Sequence, residues 1–341
     1  MDNTGPGAAD VVAAVDRWLS APAEPDPWVV ETSGSTGRPK RVVLSRRAML
    51  ASAQASAARL GAAGPWLLAL PASYVAGLNV VVRSLVAGRP PVLLGDSFAD
   101  AVRAVGPGGF VSLVPTQLHR LLESDAGALG DFHTVLLGGG PIDPSLRARA
   151  EAAGVRVVAT YGSAETCGGC VYDGLPLDGV GVALAADGRV RLRGPVLFDG
   201  YRDDPELTRE VLVDGWFLTS DAGRIDVDGR LQVLGRVDDV VVTGGVNVPA
   251  PAVAARLRAH PSVVAAEVLG VPDEEWGNRL VAFVVLRPDA TSTGGPTLDE
   301  LRDWVATERP RSWAPRQLVA LAEIPMLPNG KPDRLGLREL A

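Results

Sequence analysis

The chain has 341 residues, 47% of them apolar, with a formal net charge of −7 and a mean hydropathy of +0.15. It is long for one hydrophobic core, comfortable for two domains, and apolar enough to bury them. The acidic balance and the lack of a basic run argue against nucleic acid as a partner, and no apolar stretch approaches the ~18–20 residues of a membrane span.

From the start, M-D-N-T-G-P-G-A-A-D is acidic and no long apolar segment follows, so no signal peptide is expected and the protein reads as soluble and cytoplasmic. Asp10–Leu19 has the spacing of a short amphipathic helix, and Pro27–Glu31 that of a buried strand. A Ser/Gly-rich loop comes next, after which Ser45 can cap a helix through Leu60. Apolar runs at Trp66–Leu70, Pro91–Leu94, Phe110–Val114, Thr134–Leu137 and Val155–Thr160 predict interior strands. Helical segments at Leu78–Leu85, Phe98–Val105, Thr116–Ser124 and Pro144–Ala153 separate them. That alternation predicts a largely parallel α/β sheet covered by helices on both faces. From Val180 the texture changes to short alternating runs joined by Asp-Gly turns, the pattern of antiparallel hairpins. A boundary is placed after Arg236, giving domains 1–236 and 237–341. The second reads as a small α+β module: helix Ala250–Ala259, strands Val263–Val271 and Leu280–Leu286, a surface loop Thr291–Thr297, and helix Leu298–Glu308.

Two residue types are scarce enough to inspect singly. Among 33 basic residues only Lys40 and Lys331 are lysines, and each lies in a glycine-containing polar loop, T-S-G-S-T-G-R-P-K and P-N-G-K-P-D-R. An ammonium is a compact point charge where a guanidinium is a broad fork, so a narrow site for phosphate or a reacting carboxylate does not accept one for the other. In the first loop, hydroxyls of Thr32, Ser33, Ser35 and Thr36 alternate with Gly34 and Gly37, which let backbone amides approach a polyphosphate. The Walker A spacing is absent, and taken alone such a loop also reads as a linker. Cys167 and Cys170 form C-G-G-C; with three histidines at the wrong spacing for zinc, they read as structural thiols.

Six motifs, in order, make the chain similar to the adenylate-forming acyl-CoA synthetase superfamily, from Thr32 almost to the end. They are Thr32–Lys40; Leu137-Gly138-Gly139-Gly140-Pro141; Tyr161-Gly162-Ser163-Ala164-Glu165-Thr166; Gly215–Asp221; Gly235–Asp239 with Thr243–Val248; and Pro328–Arg334. The resemblance implies a large N-terminal domain of mixed and parallel sheets with antiparallel hairpins, and a small mobile α+β C-terminal domain. It implies ATP, Mg²⁺ and CoA acting on a small carboxylic acid, through an acyl-adenylate; a homodimer is compatible with it. Carried over residue by residue, Lys331 bridges the carboxylate and the α-phosphate, Lys40 attends the departing pyrophosphate, and Glu165 holds Mg²⁺. Thr32–Gly37, Gly139, Gly140, Pro141, Thr160, Tyr161, Gly162 and Thr166 line the nucleotide, Asp221 takes the ribose, and Arg236 adds a fork to ribose or phosphate. Gly138 and Ser163 face the acid, Asp238 is the hinge, and Gly244 and Gly245 border a tunnel for the thiol.

Departures from the pattern matter too. Ala164 and Ser220 replace commoner residues, and Tyr74 stands where L-P-x-x-H-x-x-G has histidine. The chain starts about thirty residues before the phosphate loop, as in the short ligases for o-succinylbenzoate. In those, a basic residue matching Arg83 contacts a substrate carboxylate, so Arg83 and Tyr74 become the candidate acid-binding side chains. Another aryl or fatty acyl ligase, a stand-alone adenylating enzyme, and a catalytically silent homologue are the competing readings.

Overall fold

The computed structural model describes residues 7–32, 39–288, 295–327 and 332–341. The chain divides into two compact units, one of Met1–Thr219 with Ile225–Gln232, the other of Ser220–Arg224 with Val233–Ala341. The division falls inside one hairpin, Trp216–Ile225 and Leu231–Arg236.

The first unit is built on a seven-stranded sheet. Its order is Val92–Leu93, Trp66–Leu68, Phe110–Leu113, Thr134–Leu137, Val157–Ser163, Gly168–Tyr172 and Leu175–Pro176. The first five strands run parallel, as the alternating pattern predicts. The last two turn back antiparallel, a change the sequence hides because G-G-C-V-Y carries no hairpin signal of its own. Alternate residues of the strands feed separate cores. Leu68, Phe110, Leu136 and Val158 face the helices Arg46–Leu60 and Val75–Val86 through Met49, Leu78 and Val81. Leu67, Val111, Leu113, Val135, Leu137 and Val157 face the helices Phe98–Val105, Pro115–Ser124 and Pro144–Ala152. Caps set two of these starts: Ser97 accepts from the Asp100 amide at 3.2 Å, and Asp143 from Ser145 at 2.7 Å. Ser45 occupies the expected cap position of Arg46–Leu60 but makes no cap bond; its hydroxyl is buried without a partner.

Pro27–Glu31 is expected as a buried strand. Instead Trp28–Thr32 pairs antiparallel with Lys40–Leu44, of its own residues only Val30 is buried, and Gly200–Tyr201 adds to the other side of Lys40–Leu44. Thr32 stands opposite Lys40 in that register. The expected Asp-Gly hairpin Gly181–Leu184/Arg189–Arg193 is present.

In the second unit, Val263–Asp273 and Gly277–Leu286 pair antiparallel and Gln317–Leu321 lies parallel to the latter. Helices Ala250–Arg258 and Leu298–Ala306 cover one face through Val253, Leu257, Leu301 and Val305. Leu337 of the helix Arg334–Glu339 packs on the other, with Leu269, Val281 and Phe283. Thr297 and Glu300 form a reciprocal cap, side chain to amide in both directions. Residues 291–294 of the expected loop lie outside those described.

Candidate active site

The motif around Glu165 forms a tight turn in the first unit. Val157–Ser163 ends, one 3₁₀ turn spans Ala164–Thr166, and Gly168–Tyr172 returns beside it with Ser163 opposite Gly168. Cys167 and Gly168 reverse the chain at φ 49° and 87°. Gly162 is required by the space: a Cβ there would stand 2.1 Å from the Gly168 carbonyl oxygen. The Thr166 side chain is fully buried. Its hydroxyl accepts from the Ser163 amide at 3.0 Å and donates to the Gly168 carbonyl at 2.8 Å, so it holds the turn closed. The Cys167 carbonyl receives Asn79 Nδ2 at 2.6 Å and Ser52 Oγ at 3.1 Å, which pins the turn to two helices.

That scaffold presents Glu165. Its side chain is buried, accepts the Tyr201 hydroxyl on Oε1 at 2.8 Å, and forms no ion pair among the described residues. Two residues earlier, Ser163 Oγ is buried with no hydrogen-bond partner among the described residues. A buried carboxylate with no ion pair among the described residues, two positions from a hydroxyl that likewise has no partner among them, is a group that a cation would satisfy. One carboxylate suits Mg²⁺, which draws its other ligands from phosphate and water; no cluster of three or more His, Cys, Asp or Glu exists among the described residues for a metal that needs a full protein cage. Lys40 Nζ lies 5.3 Å from the centroid of the Tyr201 ring, so Lys40 and Glu165 meet at one aromatic side chain.

The glycine turn Gly138–Pro141 follows the strand Thr134–Leu137 and starts beside Thr160, in the middle of the neighbouring strand Val157–Ser163. Gly138 packs on Thr160 so closely that a Cβ would meet Thr160 Oγ1 at 2.4 Å, and Gly139 takes φ 82°. Gly139, Gly140 and Pro141 are exposed, while Tyr161 is half-buried. Ser33, Gly34, Ser35, Thr36 and Gly37 lie outside the described residues, and Lys331 does too.

Tyr74 begins the helix Val75–Val86 half-buried, its amide bonded to the Pro71 carbonyl at 3.1 Å. Arg83, on the same helix, is 7% exposed. It donates to the Tyr172 hydroxyl at 3.1 Å, lies 5.3 Å from the Trp66 ring, and leaves its Nε without a partner among the described residues. No carboxylate among the described residues pairs with it. Nine residues, a rise of ~13–14 Å along the helix, separate Tyr74 from Arg83, so these two are not brought together.

Asp221 and Arg236 belong to the second unit, each engaged with neighbours. Gly244 and Gly245 form the two-residue turn of the hairpin Val240–Thr243/Val246–Pro249, both at positive φ, 54° and 78°. Gly244 abuts Trp276, whose ring a Cβ would approach to 2.6 Å. The Asp238 backbone lies in the 3₁₀ turn Val237–Asp239, and Arg334 pairs with Asp239 next to it. A bridge between Met326 and Pro332 closes the ends of the segment that carries Lys331.

Tyr201, Tyr172, Asn79 and Ser52 went unnoticed in the sequence. Each acts on a residue at least 36 positions away, and local pattern carries no trace of such a contact.

Comparison with known proteins places the chain in a family. The AMP-binding enzyme family matches residues 20–200, and the AMP-binding enzyme C-terminal domain matches residues 252–331. A probable 2-succinylbenzoate–CoA ligase of Mycobacterium tuberculosis is 42% identical over 91% of this chain and 83% of its own length. The 2-succinylbenzoate–CoA ligase of Listeria monocytogenes is 32% identical over 91% of the chain and 69% of its own. Among solved structures, the o-succinylbenzoate CoA synthetase of Bacillus subtilis with its acyl-adenylate superposes with a TM-score of 0.79, at 28% identity over 91% of this chain and 68% of that one. An amide bond synthetase from Marinactinospora thermotolerans gives 0.80 at 31% identity, over 92% and 68%. The chain belongs to the AMP-binding enzyme family, whose members are adenylate-forming enzymes with a large N-terminal and a small C-terminal domain.

Proposed function

We propose that the chain is an AMP-forming acid–CoA ligase whose acid is o-succinylbenzoate, working in the cytoplasm in menaquinone biosynthesis. The observation that carries the acid is Arg83, a buried guanidinium with an idle Nε and no carboxylate partner among the described residues. A buried charge costs several kcal/mol unless paired, and the second, unactivated carboxylate of a dicarboxylic acid supplies the partner. The curated relatives named above support the same substrate.

Two displacements make up the reaction. A carboxylate oxygen attacks the α-phosphorus of ATP, the bond to the β-phosphate breaks, and pyrophosphate leaves. The CoA sulfur then attacks the acyl carbon, and AMP departs. Both steps bring anions together, so positioning and charge neutralisation govern the barrier. In this reading Thr32–Gly37 cradle the phosphates, Lys40 steadies the leaving pyrophosphate, and Gly138–Pro141 with Thr160–Gly162 border the base and acid. Asp221 and Arg236 take the ribose, and Lys331 neutralises the carboxylate and α-phosphate as they meet. The second unit is the moving part and turns at Asp238, which withdraws Lys331 and brings Gly244–Gly245 to the thiol. Glu165 and Ser163 would hold Mg²⁺, which when bound neutralises phosphate oxygens.

Pyrophosphate release with o-succinylbenzoate, benzoate and fatty acids, each with and without CoA, tests the reading. Release with o-succinylbenzoate and conversion to a CoA thioester is expected; release followed by transfer only to an amine or a carrier protein would instead mark a stand-alone adenylating enzyme. Lys331→Ala should lower adenylation by ~10²–10³-fold and spare thioester formation from supplied acyl-adenylate. Arg83→Ala should raise the KM for o-succinylbenzoate ~10–100-fold, the scale of a charged hydrogen bond, and leave benzoate unchanged. Equal losses would retire the dicarboxylate.

A further inference from the structure

Tyr201 is fixed more firmly than packing alone demands. Asp199 and Arg202, on either side, donate their amides to the carbonyls of Val43 and Arg41, both at 2.9 Å. That keeps Tyr201 paired with Val42, two residues along the strand that starts at Lys40. Its own amide donates to Thr208 Oγ1 at 2.9 Å, and Gly200 lets the chain pass Thr208, where a Cβ would come within 2.8 Å of the methyl. The ring stands edge-on to Phe198 at 5.0 Å. Phe198 also donates its amide to the Glu165 carbonyl at 2.9 Å. One short segment therefore grips Glu165 twice, at the main chain through Phe198 and at the carboxylate through Tyr201.

A buried tyrosine needs some acceptor, and a nearby carbonyl would serve. Here the acceptor is a carboxylate that forms no ion pair among the described residues, and the ring meets one of the chain's two lysines.

We propose that Tyr201 is a positioning residue of the nucleotide site: its hydroxyl fixes the Glu165 carboxylate for Mg²⁺ while its ring seats the Lys40 ammonium. One side chain then sets the spacing between the metal holder and the phosphate lysine. The proposal rests on the role given to Glu165 above. It is tested by Mn²⁺ binding to the ATP complex, read from the loss of the free-ion paramagnetic signal. Tyr201→Phe keeps the ring and should weaken Mn²⁺ about tenfold, leaving metal-free ATP binding unchanged. Tyr201→Leu should weaken metal-free ATP binding as well, through Lys40. Glu165→Gln is the reference. If it leaves Mn²⁺ binding intact, the metal is not held by Glu165 and both readings fall; if it weakens Mn²⁺ while Tyr201→Phe does not, the Tyr201 proposal alone is overturned. Fluorotyrosine labelling of the unsubstituted chain, which has four tyrosines, gives a second readout should the variants not fold. The Tyr201 resonance should shift when Mg²⁺ joins the ATP complex, and four unmoved resonances overturn the proposal.

Discussion

The two units hold their candidate groups by different means. In the first, Glu165 is set by Tyr201 and its turn by Asn79, Ser52 and Thr166, all through buried hydrogen bonds, most of them spanning long stretches of chain. In the second, Gly244 and Gly245 sit at an exposed hairpin turn whose shape follows from two positive φ values. Groups locked from several elements are preorganised, as suits charges that must be in place before the phosphates arrive. Groups on a turn depend on two residues' backbone preferences, which suits the part proposed above to serve only the thioester half of the reaction.

Substitutions can break that contrast. The largest effect is expected from Gly162→Ala, whose new methyl meets backbone at 2.1 Å. Neither strand can yield without unpairing, so we expect a loss of roughly 3 kcal/mol in urea unfolding and collapse of adenylation. Wild-type stability would mean the Glu165 turn is not locked. Asn79→Ala comes next: it removes one of two donors to the buried Cys167 carbonyl, worth about 1–3 kcal/mol, and adenylation should fall with it. Gly245→Ala meets no atom within 4 Å, so its cost is backbone strain alone, about 1–2 kcal/mol. Thioester formation should slow while adenylation stays level; equal loss in both halves would erase the distinction between the units.

Acidity gives the smallest effect. Burial holds the Glu267 carboxyl above its ordinary 4.5, against the opposing pull of Arg334 and Arg258. A raised acid favours the fold when protonated, so this contribution is complete below about 4.5 and fades as pH rises through the folded value. Glu267→Gln should flatten that part of the second unit's stability-versus-pH curve. Arg334→Ala, which removes a neighbouring positive charge, should steepen it.

How much of this could be read from residue order follows the same divide. The strands Thr134–Leu137 and Phe110–Leu113 and the helix Phe98–Val105 were legible because a buried parallel strand is a continuous apolar run and its crossover helix has a 3.6-residue stripe. The strand Lys40–Leu44 was not, because K-R-V-V-L opens on two charges and its partners lie on both sides in space. Glu165 announced itself within Y-G-S-A-E-T, yet the tyrosine that holds it sits in F-D-G-Y, a stretch with no chemistry of its own. Arg83 is a charge on the apolar stretch Leu78–Leu85, where a long cation ordinarily snorkels to solvent; burial against Trp66 and Tyr172 removes that alternative.

The cysteine pair has a last consequence. Both sulfurs are protonated and sealed in the core: burial drives Cys167 far above the ordinary thiol range and Cys170 up to about 12. Disulfide exchange needs an accessible thiolate. A catalyst that handles a free mercaptan as co-substrate thus keeps its own C-G-G-C beyond reach of mixed-disulfide traps, and alkylating reagents added to an assay should consume CoA and leave the folded enzyme untouched.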